Sequence, residues 1–258
     1  MLRSFGLDGP VRPVPGGQGT TWRCADAALK PAVPGETEWA APVLAALAPS
    51  DTLRVPEPLP GRDGWTVDGW SATRWVPGRA DQARTADIIR AGEDFAALLA
   101  DVPPPGFLRE RDDPWAVADR MAWQEQPLPP DGAYVDLVER LAGELRPVPL
   151  GARLMHPDLK GNVLFHPGLP PAVIDWPPYL RPVAWGSALV AVDTLDTDAS
   201  RLDVLAPATG PHWRQLLIRA ELYRLCVKNE AARRGIRLVD DKTFHRETTA
   251  RLIRLPGR

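Results

Sequence analysis

His156-Pro157-Asp158-Leu159-Lys160-Gly161-Asn162, followed by Val173-Ile174-Asp175-Trp176, is the stretch on which the reading of this 258-residue chain turns. It sets a His, an Asp and an Asn in one short loop, and a second Asp arrives 13 residues after the Asn, at the end of an apolar run. Asp158 can accept the proton of a hydroxyl. Asn162 offers a neutral oxygen and Asp175 a charged one, the hard ligands that Mg²⁺ prefers. Val173 and Ile174 are β-branched and suit a strand that would present Asp175 rigidly. His156 reads as a brace for the loop rather than a reactant. The plainer alternative is a β-turn in which Asp and Asn are ordinary turn formers. A base beside two cation ligands suits phosphoryl transfer, whose catalysis is mostly positioning and neutralisation of charge.

That chemistry asks for two further parts, and both precede the loop in the sequence. Pro15-Gly16-Gly17-Gln18-Gly19-Thr20 separates the strand-like runs 11–14 and 21–24, and its glycines let backbone N–H groups approach anionic oxygens closely. Taken alone, such a loop is a plain hairpin turn. Lys30 follows on a third expected strand, 28–32, and Glu36 opens an expected helix, 36–47, with Glu38 as its rival. A strand-borne Lys can reach nucleotide phosphates while a helix Glu holds it in place. The alternative makes Lys30 a solvated edge charge and Glu36 a first-turn acid favoured by the helix dipole.

Strands are also expected at 65–68 and 70–76, with Pro77-Gly78 ending the run, so residues 1–76 read as a small β-rich lobe. From Arg84 onward the apolar spacing becomes helical: Ile88, Ile89, Phe95, Leu98 and Leu99 outline one face. Further helices are expected at 114–124, 134–145, 183–195 and 212–234, which makes residues 77–258 a larger, mainly helical lobe.

Composition bounds the partners. Apolar content of 44% with 25% charged residues is that of a soluble globular protein, and thirty prolines argue against long unbroken helices where they cluster. The net charge of −2 selects no partner. Residues 214–258 hold twelve Lys/Arg against five Asp/Glu, which reads as a solvated helix face. Without interleaved aromatic repeats, nucleic acid is not expected to bind there. Cys24 and Cys226 form no disulfide framework, so a reduced, cytoplasmic setting is expected. No run of 18 apolar residues suggests a membrane span, and the first residues lack the apolar core of a secretory signal.

The order of Gly-rich loop, strand Lys, helix Glu, His-x-Asp loop, Asn and Ile-Asp-Trp resembles the aminoglycoside phosphotransferase and choline kinase-like superfamily, over about residues 11–230. The resemblance implies an α+β, two-lobed protein kinase-like fold. It also implies ATP and Mg²⁺ as cofactors and transfer of the γ-phosphoryl group to the hydroxyl of a small-molecule acceptor. It matches Asp158 to the catalytic Asp, Asn162 and Asp175 to the metal ligands, and Lys30 to the phosphate-binding Lys. Arg74-Trp75-Val76 matches the hinge whose backbone meets adenine, and Lys160 stands where protein kinases have a phosphate-contacting Lys. The chain departs from the family at one telling place: three residues, not four, separate Asp158 from Asn162. A nucleotide-binding pseudokinase and a kinase of peptide Ser/Thr remain as rivals. Asp193, Asp196, Asp198 and Asp203 can line a pocket for a cationic acceptor or serve as caps, and Trp176 and Trp185 can wall that pocket or fill the core.

Overall fold

The computed structural model describes residues 1–15, 19–206, 210, 212–239 and 241–256. They form a mixed α+β structure that divides by packing into two compact units, each built from two chain segments. The first comprises Met1–Phe107 with Leu154–Tyr179, and the second Leu108–Arg153 with Leu180–Arg258. The division differs from the lobe boundary expected at Val76. Residues 77–107 and the whole segment carrying Asp158 and Asp175 pack with the N-terminal strands.

The first unit opens with β1 (Val11–Pro13), β2 (Trp22–Cys24) and β3 (Ala27–Pro31), followed by α1 (Glu36–Ala46). β4 (Pro58–Leu59), β5 (Thr66–Val67) and β6 (Trp70–Arg74) complete an antiparallel sheet of order β1-β2-β3-β6-β4, with β5 also on β6. The period-2 alternation of β3 decides its faces. Ala27 and Leu29 are buried, with Cys24, Ala72, Phe5, Leu7 and Leu59, in one cluster. Lys30, opposite Ser71 in register, therefore points to the other face. α1 continues through Pro42, an interior position at which the ring leaves one helical hydrogen bond unmade.

β7 (Arg79–Ala80) and α2 (Thr85–Leu98) follow. Ile88, Ala91, Phe95 and Ala96 form the buried face of α2, which packs on β10 (Leu169–Val173). After β8 (Arg153–Met155), β9 (Val163–His166) and β10 make a hairpin through Gly168, at φ 76°, in a sheet of order β10-β9-β7. The register of that hairpin breaks between Leu169 and Ala172, where Pro170 and Pro171 have no N–H to pair. The segment ends at Tyr179, the first residue of β11 (Tyr179–Arg181).

The second unit is helical: α3 (Pro114–Ala122), α4 (Val135–Ala142), α5 (Val183–Thr197), α6 (Trp213–Arg233) and α7 (Lys242–Arg254). Asp113 caps α3 by accepting the Ala116 N–H at 2.9 Å, with Pro114 at the first helical position, where a missing N–H costs nothing. α5 and α6 are buried around most of their circumference. α7 lay outside the sequence expectations, because its buried face is His245, Thr248, Thr249 and Leu252 rather than an apolar stripe. Among the described residues no helix is long and apolar enough to cross a membrane.

Candidate active site

The loop between β8 and β9 is built on His156, which is buried. Its Nδ1 accepts the N–H of Asp158 at 3.0 Å, and its Nε2 lies 3.0 Å from the carbonyl of Ile174, to which it donates. This pairing fixes the neutral tautomer, since Nδ1 can accept only when unprotonated. Burial, the largest influence, holds the imidazole below its ordinary pKa despite nearby Asp158 and Asp175. Trp176 makes a second tie: its indole N–H donates to Met155 O at 3.1 Å. Its ring packs edge-on to Phe95 at 5.2 Å and beside Trp39 at 5.7 Å. His156 and Trp176 thus join the two backbone stretches that carry Asp158 and Asp175. The braced loop expected for His156 is the one observed, and Trp176 belongs to the core rather than to a pocket wall.

α2 supplies the floor. Phe95 meets His156 at 6.3 Å, and the buried Leu159 side chain reaches Gly92 so closely that a Cβ there would lie 2.2 Å from Leu159 Cδ1. Gly92 is therefore a close-approach glycine that seats the loop.

The shortened loop folds onto itself. The Asn162 N–H donates to Leu159 O at 2.9 Å, with Gly161 at φ 92° making the turn. The Asn162 Nδ2 donates to Asp158 O at 2.7 Å and lies 3.4 Å from Asp158 Oδ2. Asn162 O in turn accepts the N–H of Ile174 at 2.9 Å. Losing one residue has kept Asn162 against Asp158, and its amide oxygen is the atom that could face a cation. Lys160 lies half-buried on the same turn.

Asp175 takes φ 58°, a left-handed conformation that Asp tolerates better than most residues. Its Oδ1 is 2.7 Å from Lys30 Nζ, with the two side chains 54% and 32% exposed. This pair was missed in the sequence, where Glu36 was the expected partner of Lys30. Glu36 is the first residue of α1, and Glu38 accepts the hydroxyl of Thr66 at 2.5 Å. Among the described residues no cluster of three His, Cys, Asp or Glu forms a metal cage. An Asp and an Asn amide are a donor set that fits Mg²⁺, which keeps several waters and takes the rest of its ligands from phosphates.

The remaining expected contacts are unequal. Gly19 lies at φ 70° with open space around its α-carbon, Thr20 is exposed, and Val14 N–H to Thr21 O at 2.9 Å closes the hairpin. Gly16, Gly17 and Gln18 lie outside the described residues. At the hinge, Arg74 N–H donates to Glu57 O at 2.8 Å and Trp75 N–H to Asp26 O at 2.6 Å. The Arg74 side chain pairs with Asp26 at 2.8 Å and Glu57 at 3.3 Å, and Arg23 stacks over the Trp75 ring. Of the three hinge N–H groups, Val76's is the one these bonds leave available.

In the second unit, charges that looked available in the sequence are engaged. Asp193 pairs with Arg224, Asp198 accepts from Ser200, and Asp203 pairs with Arg201. Trp185 is fully buried between Trp123 and Tyr223. Part of the basic C-terminal segment is engaged within the unit, where Arg214 pairs with Glu144, Lys228 with Asp241 and Lys242 with Asp136, while Arg233, Arg234, Arg237, Arg246 and Arg254 are exposed. Buried Arg219 donates to the carbonyls of Ala122 and Arg146, and burial together with the charge of Arg181 lowers its pKa to about 10.

Comparison with known proteins places the chain by family and by fold. The family model described as the phosphotransferase enzyme family matches residues 11–179. Among solved structures, a choline/ethanolamine kinase family protein from Mesorhizobium loti superposes with a TM-score of 0.64 at 19% identity, covering 97% of this chain and 90% of that one. Choline kinase LicA from Streptococcus pneumoniae gives 0.60 at 12% identity, with 95% and 92% covered. A thermostable mutant of aminoglycoside phosphotransferase APH(4)-Ia, in ternary complex with AMP-PNP and hygromycin B, gives 0.61 at 16% identity, with 98% and 96% covered. These likenesses establish the kinase-like α+β fold that the sequence implied. No curated protein sequence matches the chain.

Proposed function

The chain belongs to the phosphotransferase enzyme family, and we propose that it transfers the γ-phosphoryl group of ATP to the hydroxyl of a small-molecule acceptor. The observation that carries this reading is the gathering of Lys30, Asp158, Asn162 and Asp175 within one packing unit, with Lys30 and Asp175 in direct contact. Asp158 orients the acceptor hydroxyl and takes its proton as the oxygen attacks. Its backbone is held by His156, which burial keeps neutral. Asp175 and Asn162 would hold Mg²⁺, which would supply neutralisation of the phosphate charge. Lys30 exchanges its contact with Asp175 for the phosphates, and an exposed pair of this kind holds the exchange back by no more than about 1 kcal/mol. Thr20 and Gly19 cover the phosphates, Val76 N–H meets the adenine, and Lys160 contacts the transferred group.

Similarity to structures described as choline kinase and as a complex with hygromycin B favours a small, cationic acceptor. The buried, unpaired thiols Cys24 and Cys226 agree with a cytoplasmic setting. The one-residue-shorter loop supports a second reading, a nucleotide-binding pseudokinase. A thermal shift with Mg²⁺-ATP, followed by transfer assays over an acceptor panel, separates the two. Saturation at a hundredfold excess over Kd stabilises a binder by about 2.7 kcal/mol. The Asp158→Asn variant should bind nucleotide as the wild type does and lose about 10²–10⁴-fold in kcat. Binding without Asp158-dependent turnover selects the pseudokinase, and absence of binding defeats both readings.

A further inference from the structure

Arg54 lies in the connection between α1 and β4, and neither its position nor its neighbours in the sequence give it a role. Its backbone and its side chain do different things. The Arg54 N–H donates to Pro171 O at 2.8 Å, and its carbonyl accepts the N–H of Val173 at 3.0 Å. This parallel bridge, with Arg54 opposite Ala172, extends the sheet beyond β10 at the point where Pro170 and Pro171 disturb its other edge. The side chain then reaches in two directions. Nε donates to Pro170 O at 2.8 Å, while Nη1 and Nη2 both lie 3.2 Å from Pro77 O.

Those acceptors belong to segments that meet the proposed nucleotide at opposite ends. Pro77 follows the hinge residues 74–76 directly, and β10 ends two residues before Asp175. One planar guanidinium therefore spans the hinge and the strand that delivers Asp175. Among the described residues no carboxylate pairs with Arg54, so its contacts are those of a fork holding carbonyls and not of an ion pair. Fixed fork geometry is what distinguishes Arg from Lys, whose ammonium is a single point on a flexible stem. Burial lowers the Arg54 pKa without removing its charge at neutral pH.

We propose that Arg54 is a positioning residue that sets the spacing between the hinge backbone and Asp175, and so brings the base and the Mg²⁺-phosphate end of the nucleotide into register. This rests on the nucleotide-binding reading above. Its test is calorimetric titration of wild type, Arg54→Ala and Arg54→Lys with ADP, with and without Mg²⁺, at a temperature where all three are folded, alongside amide hydrogen exchange of the ligand-free proteins. Arg54→Ala should bind Mg²⁺-ADP at least about tenfold more weakly, as expected for the loss of charge-assisted hydrogen bonds. Arg54→Lys should recover less than half of that loss, because it cannot hold both carbonyls. Exchange should accelerate together at 76–78 and at 173–175. A merely structural role would lower the melting temperature and leave the affinity of the folded protein unchanged. Binding by folded Arg54→Ala within twofold of wild type overturns the proposal. If the wild type binds no Mg²⁺-ADP, the nucleotide reading fails, and acceleration confined to one of the two segments overturns the coupling as well.

Discussion

One ion pair of the first unit and two of the second are built in opposite ways. In the first, Lys30 and Asp175 pair at 2.7 Å with their side chains 32% and 54% exposed. In the second, Arg181, 11% exposed, takes both Asp119 oxygens and both Glu125 oxygens, and His245 lies 2.8 Å from fully buried Glu221. All are ion pairs by distance, yet only the first can be opened by an incoming ligand at small cost. The two buried histidines repeat the contrast. Burial leaves His156 neutral and below its ordinary pKa. Burial also pulls His245 down and Glu221 up, but the hydrogen bond that His245 donates to Glu221 and the charges of Glu221 and Asp241 outweigh it for His245, whose pKa is raised. Charge that is to be exchanged with a ligand is kept wet and singly held. Charge that specifies packing is buried and held several times over.

The sharpest way to break this contrast is to remove one cation from each unit. Arg181→Met leaves Asp119 buried without its partner and should cost about 3–5 kcal/mol in urea denaturation. Lys30→Met should cost less than about 1 kcal/mol while abolishing most phosphoryl transfer. Equal losses of stability would erase the distinction. A smaller effect is expected at Gly92. Alanine there gains up to about 1 kcal/mol in helix propensity, but its Cβ would meet buried Leu159 at 2.2 Å. The overpacking should win at about 1–3 kcal/mol, and thermal denaturation should show a net loss. A more stable Gly92→Ala would mean that Leu159 gives way and that the loop is less firmly seated than its burial suggests.

The smallest effects concern pH and carry opposite signs. With His156 depressed in the folded state, the unfolded chain binds the extra proton, so this contribution to stability is lost as pH falls through the ordinary histidine value of about 6.5. With His245 raised, its contribution is complete below that value and is lost as pH rises through the folded pKa. Replacing His156 by Asn should flatten the acid side of the stability profile, and replacing His245 by Gln the side above about pH 6.5. Changes on the same side for both variants would refute the assignment of one neutral and one charged imidazole.

Legibility followed the range of the interactions. The loop 156–162 and Asp175 could be read because base, amide and carboxylate sit within a short stretch, and the strands and helices around them obey simple periodicities. The contact of Lys30 with Asp175 could not, since the two are far apart in the chain and only packing brings them together. The packing of α2 with the first unit was not legible, because Phe95 and Gly92 meet residues more than sixty positions later. α7 escaped because polar side chains form most of its buried face. Arg54 gave no signal at all, its contacts being to carbonyl oxygens, which every residue possesses.

The first unit is discontinuous: residues 108–153 come between its two segments. On a ribosome, its strands and α2 emerge well before His156, Asp158 and Asp175 exist. The partly made unit must wait with the seat of Leu159 empty and Phe95 uncovered while a stretch belonging to the other unit is synthesised. At about 5–20 residues per second that interval lasts seconds, long compared with the closure of hairpins and helices. For that interval newly made chains present unfinished apolar surface to chaperones and proteases until the residues proposed for catalysis arrive.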